Sequence, residues 1–293
     1  MSQNKKLWAT VALLLTAAIW GSGFVFLDVA IEELSTSFIV ASRFSIAAIL
    51  IIIATFKKLH LLERGYFIGG FVSGTTLVMG NGLQTLGMVY GTTPGKSAFL
   101  TAAYCVIVPF LCWIFMKERP KKNHILSAII CLVGIGLISF DGEFSMMIGD
   151  VATLGCSVAF AGNIISLAYY CRGRDPMLLT MVQICVSAIW GWIAVFITGG
   201  MPEHITSVAV GNIFYLAVFA TALCLSLQTI GLKYINATVG TVILTLESVF
   251  GVIFAVLFCG EQVTLKIALG FAVIFFAVIF AQLDFTNPKG EIS

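Results

Sequence analysis

Charge is what this chain lacks most: only 10% of its 293 residues are Asp, Glu, Lys or Arg, against about 25% in an ordinary soluble domain. Histidine is scarcer, with three in the whole chain. His60, His124 and His204 all fall in or beside expected loops, so none is placed inside an apolar segment as a zinc ligand or general base. Neither a His-Glu-x-x-His motif nor a phosphate-binding Gly-x-x-x-x-Gly-Lys-Ser/Thr loop is present. The eight cysteines include no pair at Cys-x-x-Cys spacing. All but Cys171 lie clearly within apolar runs, and they read as small buried side chains rather than disulfides or metal ligands. These absences remove the nucleophile–base pair or metal set that chemistry inside a membrane would need. The expectation is no enzyme, no cofactor and no bound metal, with an intramembrane enzyme or lipid-handling protein as a remote alternative.

What the chain has in excess is apolar length. Hydrophobic residues make up 59% and the mean hydropathy is +1.05. A helix needs about 20 apolar residues to cross a bilayer, and ten runs approach or exceed that: 7–29, 36–56, 65–88, 94–116, 124–140, 149–170, 176–199, 206–231, 238–259 and 264–283. Barrel strands would alternate over about ten residues; these runs are continuous, so the fold class expected is an all-α membrane protein of ten transmembrane helices. The first run is longer than the apolar core of a signal peptide and nine more follow it, so it reads as a span. Thirteen of the sixteen Lys and Arg residues fall on the side that holds both termini. Only Lys96 and Lys266 fall on the other, and Arg43 is within a span. The positive-inside rule then makes both termini cytoplasmic. Topology accounts for the basic residues, so no nucleic-acid partner is expected.

The chain also repeats itself. LQTLGMVY at 83–90 recurs as LQTIGLKY at 227–234, FMKERP at 115–120 matches FCGEQV at 258–263, and WGSGF at 20–24 aligns with AGNII at 161–165. Two five-helix halves follow, 1–146 and 147–293. Five is odd, so the second half crosses in the opposite sense. Inverted repeats of this kind characterise secondary transporters, with the substrate near the midplane between the halves.

With these features in order, the chain resembles the EamA-type branch of the drug/metabolite transporter superfamily. The residues that carry the resemblance are Trp20-Gly21, Arg43-Phe44, AFLTAAYCVIVPFLCWIFMKERP at 98–120 and TVILTLESVFGVIFAVLFCGE at 241–261. The resemblance implies a ten-helix bundle around a central cavity lined mainly by helices one, three, four, six, eight and nine. It also implies export of small metabolites, amino acids or drugs across a bacterial inner membrane. The family's usual Glu-Pro in helix nine is here Glu247-Ser248, which leaves a local unwinding of that helix in doubt.

Candidate site residues follow from depth. Glu247 lies near the middle of its span, where an ionisable group costs about 3 kcal/mol or more unless it faces protein or a wet cavity. It is a candidate for substrate contact and for carrying a coupling proton, against a structural role fixing helix nine. Arg43 is the other deep ionisable residue; packing against backbone carbonyls or Glu247 competes with a fork onto a substrate carboxylate. Trp20 and Tyr104, with Phe24, Phe99 and Phe160, could form a box for a cationic or aromatic ligand, against ordinary core packing. Asn81 and Asn163 are candidates to orient a small polar solute, whereas the repeated Gln84 and Gln228 read as interhelical glue. The leading function is a secondary active transporter exporting an amino acid-like or amine metabolite by alternating access, with protons as a coupling ion. The alternative is an importer or facilitator of a quaternary amine. Its partners are a small-molecule substrate and the lipid bilayer, and a monomer suffices although a homodimer is compatible.

Overall fold

In the computed structural model, residues 3–117, 119, 122–139, 147–235 and 237–282 are described. The expected seam between the halves abuts the stretch 140–146, which lies outside these residues. So do Lys121 and Lys289, two of the thirteen basic residues on the side of the termini, and Glu118 and Pro120 from the 115–120 match.

The described residues form twelve α-helical segments, with no strand among them. They are α1 (Gln3–Glu33), α2 (Thr36–Thr55), α3 (Arg64–Val89), α4 (Pro94–Ala102), α5 (Tyr104–Met116), α6 (Lys122–Ser139), α7 (Ile148–Tyr170), α8 (Pro176–Thr198), α9 (Ser207–Tyr215), α10 (Cys224–Tyr234), α11 (Ala237–Phe258) and α12 (Leu265–Gln282). A 3-10 turn, Phe56–Leu61, extends α2, and a π-helical stretch, Leu216–Leu223, joins α9 to α10. Only Ala103 separates α4 from α5, and α5 carries Pro109 in its interior, where the missing N–H and the ring disturb the preceding turn. Helix starts follow local chemistry: Ser35 accepts from Phe38 N (3.2 Å) at α2, Thr206 from Ala209 N (3.1 Å) at α9, and Asp175 from Met177 N (2.9 Å) at α8. Pro94 and Pro176 occupy the first turns of α4 and α8, where no N–H is missed.

Six of these helical stretches are long and apolar enough to cross a membrane: Lys5–Glu33, Thr36–Leu61, Pro94–Phe115, Ile148–Tyr170, Pro176–Thr198 and Ser207–Tyr234. Ile243–Phe258 and Leu265–Ala277 are shorter apolar helices, and α3 is long but carries seven glycines in 26 residues.

The packing has an internal logic. α3 lies against α7 and α8, and the α9–α10 rod lies against α1 and α2. α1 lies against α11, and α7 against α4 and α5. α2 pairs with α8 and α6 with α12. Exchanging the first half for the second maps each of these pairings onto another or onto itself. Lipid supplies no hydrophobic drive between helices, so close approach matters. A Cβ on Gly21 would lie 2.8 Å from the Gly251 backbone nitrogen, and one on Gly74 would lie 2.6 Å from the Gln183 carbonyl oxygen. Glycine is what lets α1 meet α11 and α3 meet α8.

At one end of the bundle the start of α4 is tied to the second half twice. Lys96 Nζ lies 2.8 Å from Asp150 Oδ2, with the Asp150 side chain fully buried and that of Lys96 10% exposed. Thr92 donates to the other Asp150 oxygen at 3.0 Å. Glu261, after α11, accepts from Gly95 N (2.8 Å) and Thr93 Oγ1 (2.5 Å), a carboxylate on the positive end of the α4 dipole.

Candidate functional site

A central cavity of about 70 Å³ lies among α1, α2, α3, α4, α5, α7, the π-helical stretch, α10 and α11. That is room for a few waters or the polar part of one small solute. Trp20, Asn81, Tyr104, Asn163, Glu247 and Arg43 all line it. These six residues, from six helices far apart in sequence, thus share one enclosure, which includes every helix the resemblance implied and helix two besides.

Glu247 is 4% exposed. It forms no ion pair with a described residue. The Tyr104 hydroxyl, on a residue 2% exposed, lies beside its carboxyl but without hydrogen-bond geometry. α11 runs unbroken past this point, and Ser248 turns its hydroxyl back to the Thr245 carbonyl (2.7 Å). With serine in place of proline the backbone N–H is retained and the helix continues.

Arg43 corrects one expectation. Its partner is neither a backbone carbonyl nor Glu247: Nε donates to Thr221 Oγ1 at 3.0 Å, and the guanidinium carbon sits 5.6 Å from the Phe44 ring centroid. Neither Nη bonds to a described residue. The residue is 6% exposed and lines the same cavity as Glu247. One cavity therefore holds a guanidinium and a carboxyl group that do not pair with each other.

The π-helical stretch is part of this arrangement. Thr221 donates to the Leu216 carbonyl five residues back (2.7 Å) while accepting from Arg43, and Trp20 Nε1 donates to the Ala220 carbonyl at 2.7 Å. Widened turns of this kind are frequent at functional sites. Trp20 and Arg43 hold this one from two sides. In the other half Asn163 plays a similar part, donating to the Ser73 carbonyl of α3 (2.8 Å) and to Gln183 Oε1 (3.2 Å). Its amide hydrogens are thus spent on helix packing. Asn81 donates to Leu77 O within its own helix (3.0 Å).

The aromatic box divides. Phe24 and Phe160 line the cavity with Trp20 and Tyr104. Phe99 does not: it stacks on Phe271 of α12, centroids 4.0 Å apart. Gln84 and Gln228, read from the sequence as glue, both line the cavity. Thr221 was passed over by sequence reasoning because one threonine in an apolar run carries no signal of its own.

Comparison with known proteins agrees with this architecture. The model of the EamA-like transporter family matches twice, over residues 7–140 and 147–282. An uncharacterized transporter of Archaeoglobus fulgidus is 30% identical over 280 residues, covering 95% of this chain and 87% of that protein. An uncharacterized transporter of Haemophilus influenzae is 24% identical over 142 residues, covering 46% of this chain and 84% of that protein. A solved crystal structure superposes with a TM-score of 0.70 at 14% identity, covering 94% of this chain and 96% of that one, a likeness of fold alone. With the family model matching in both halves, this chain is a multi-pass membrane protein that belongs to the EamA-like transporter family.

Proposed function

We propose that the protein is a secondary active transporter that exports a small zwitterionic, amino acid-like metabolite across a bacterial inner membrane. The observation that carries this reading is that the Arg43 guanidinium and the Glu247 carboxyl are buried in one cavity without each other as partner. Buried charges are costly alone. A zwitterion supplies both partners at once: its carboxylate meets the guanidinium fork, and its ammonium meets Glu247 beside Tyr104 and Trp20. An organic cation leaves Arg43 uncompensated, so the shared cavity favours the amino acid-like solute over the quaternary amine.

In this reading the chain crosses the membrane ten times, as inverted halves 1–146 and 147–293, with both termini cytoplasmic. The exchange-symmetric packing and the doubled family match support that organisation. Alternating access is the rocking of the halves around the cavity. Glu247 holds the substrate ammonium on one stroke and a proton on the other, which couples export to proton entry.

Thermal stability of the detergent-purified protein, titrated with amino acids, quaternary amines and simple carboxylates, tests the reading, because a bound ligand raises the apparent melting point by mass action. Zwitterions should stabilise, and Arg43→Met and Glu247→Gln should each abolish the shift. Stabilisation by quaternary amines that survives Arg43→Met would establish the cation reading instead. Protein in sealed liposomes that moves no solute yet modifies a lipid would make it an enzyme.

A further inference from the structure

The repeated glutamines are chemically identical in sequence and different in their bonding. Gln84 is part-exposed, and its Nε2 donates to Thr101 Oγ1 at 3.2 Å. Gln228, at the matching place in LQTIGLKY, is 3% exposed, lines the cavity, and its Oε1 is buried with no hydrogen-bond partner among the described residues. The Tyr104 hydroxyl, 2% exposed and lining the same cavity, is the second orphan. A buried oxygen without a partner on a cavity-lining residue points to a ligand that supplies one, since an unpaired buried polar group is costly.

We infer that Gln228 and Tyr104 form a neutral hydrogen-bonding subsite that selects solutes carrying an amide or hydroxyl beyond their charged groups. This rests on the zwitterion reading above and adds the side-chain class. A hydrocarbon side chain in the cavity pairs with neither orphan, whereas a carboxamide or hydroxyl group gives each a partner. A site built to bond a polar group rejects the analogue lacking it far more strongly than an apolar pocket rejects an added group.

The test uses two shape-matched pairs, asparagine with leucine and threonine with valine, titrated against the full-length protein by thermal shift. The readout is the ratio of polar to apolar affinity within each pair. Gln228→Leu should lower that ratio by about tenfold or more, while Trp190→Phe, which removes a hydrogen bond to Thr75 away from the cavity lining, leaves it unchanged. Tyr104→Phe, which deletes one oxygen and keeps the ring, should lower it in the same direction and covers the case in which Gln228→Leu does not fold. A ratio unmoved by Gln228→Leu and by Tyr104→Phe overturns the subsite and leaves the zwitterion reading intact. If none of the four amino acids shifts the wild-type protein, both fall.

Discussion

Breaking the Lys96–Asp150 pair gives the sharpest test of how the two halves are held together. The contact is 2.8 Å long, with Asp150 fully buried and its second oxygen bound by Thr92. Replacing Lys96 with methionine keeps most of the volume and strands the carboxylate. Removing one member of a buried pair costs about 3–5 kcal/mol, and the surviving Thr92 bond places this case near 3 kcal/mol. At about 2 cal/mol/K of unfolding entropy per residue, 293 residues give about 0.6 kcal/mol/K. The melting midpoint should therefore fall by about 5 °C, and by more if many helices survive unfolding, since that lowers the entropy. Asp150→Asn keeps an acceptor for Thr92 and strands the lysine instead. The double variant, with no buried charge, should regain at least half of the single-variant loss. Thermal unfolding in detergent of wild type, both singles and the double completes the cycle. A Lys96→Met protein melting within about 1 °C of wild type, or a double variant at the sum of the singles, would refute the coupling.

Glu247→Gln in proteoliposomes should abolish flux driven by a pH gradient; pH-driven flux at the wild-type rate removes Glu247 as the proton carrier. Gly21→Ala places a Cβ 2.5 Å from Phe250 Cβ and 2.8 Å from the Gly251 nitrogen, so α1 and α11 must separate. A loss of about 1–3 kcal/mol should appear as a melting point lower by several degrees, and an unchanged one contradicts the packing described. Partial burial pushes the Asp175 carboxyl up, but hydrogen bonds from Lys58 and the backbone of α8, with the Lys58 charge, outweigh it and hold the carboxyl below its ordinary range. A depressed carboxyl contributes above its unfolded value of about 4 and loses that contribution as pH falls through the lower folded value. Asp175→Asn should thus melt about 1 °C below wild type near neutrality, with the gap closing at pH 3; a gap that is constant with pH rules out the ionised form as the source.

Membrane class, helix type and family were legible in the sequence because each depends on properties summed along the chain. Apolar length sets spanning, and the absence of alternation excludes strands. Repeats such as LQTLGMVY and LQTIGLKY survive as order. Depth likewise singled out Glu247 and Arg43, because desolvation cost scales with distance from water whatever the fold. Contact between remote segments could not be read that way. For Arg43 packing and a carboxylate fork competed, on a helix outside the expected cavity lining, until Thr221, 178 positions away, gave its Nε a partner inside the cavity. Phe99 and Phe160 are alike in sequence terms, yet one stacks on Phe271 and the other lines the site. Gln84 and Gln228 carry the same motif, yet Gln84 is part-exposed with its Nε2 on Thr101 and Gln228 is buried with its Oε1 unpaired. A hydrogen bond or a stacked ring depends on ångström-scale placement across helices, which close packing decides and linear order does not encode locally.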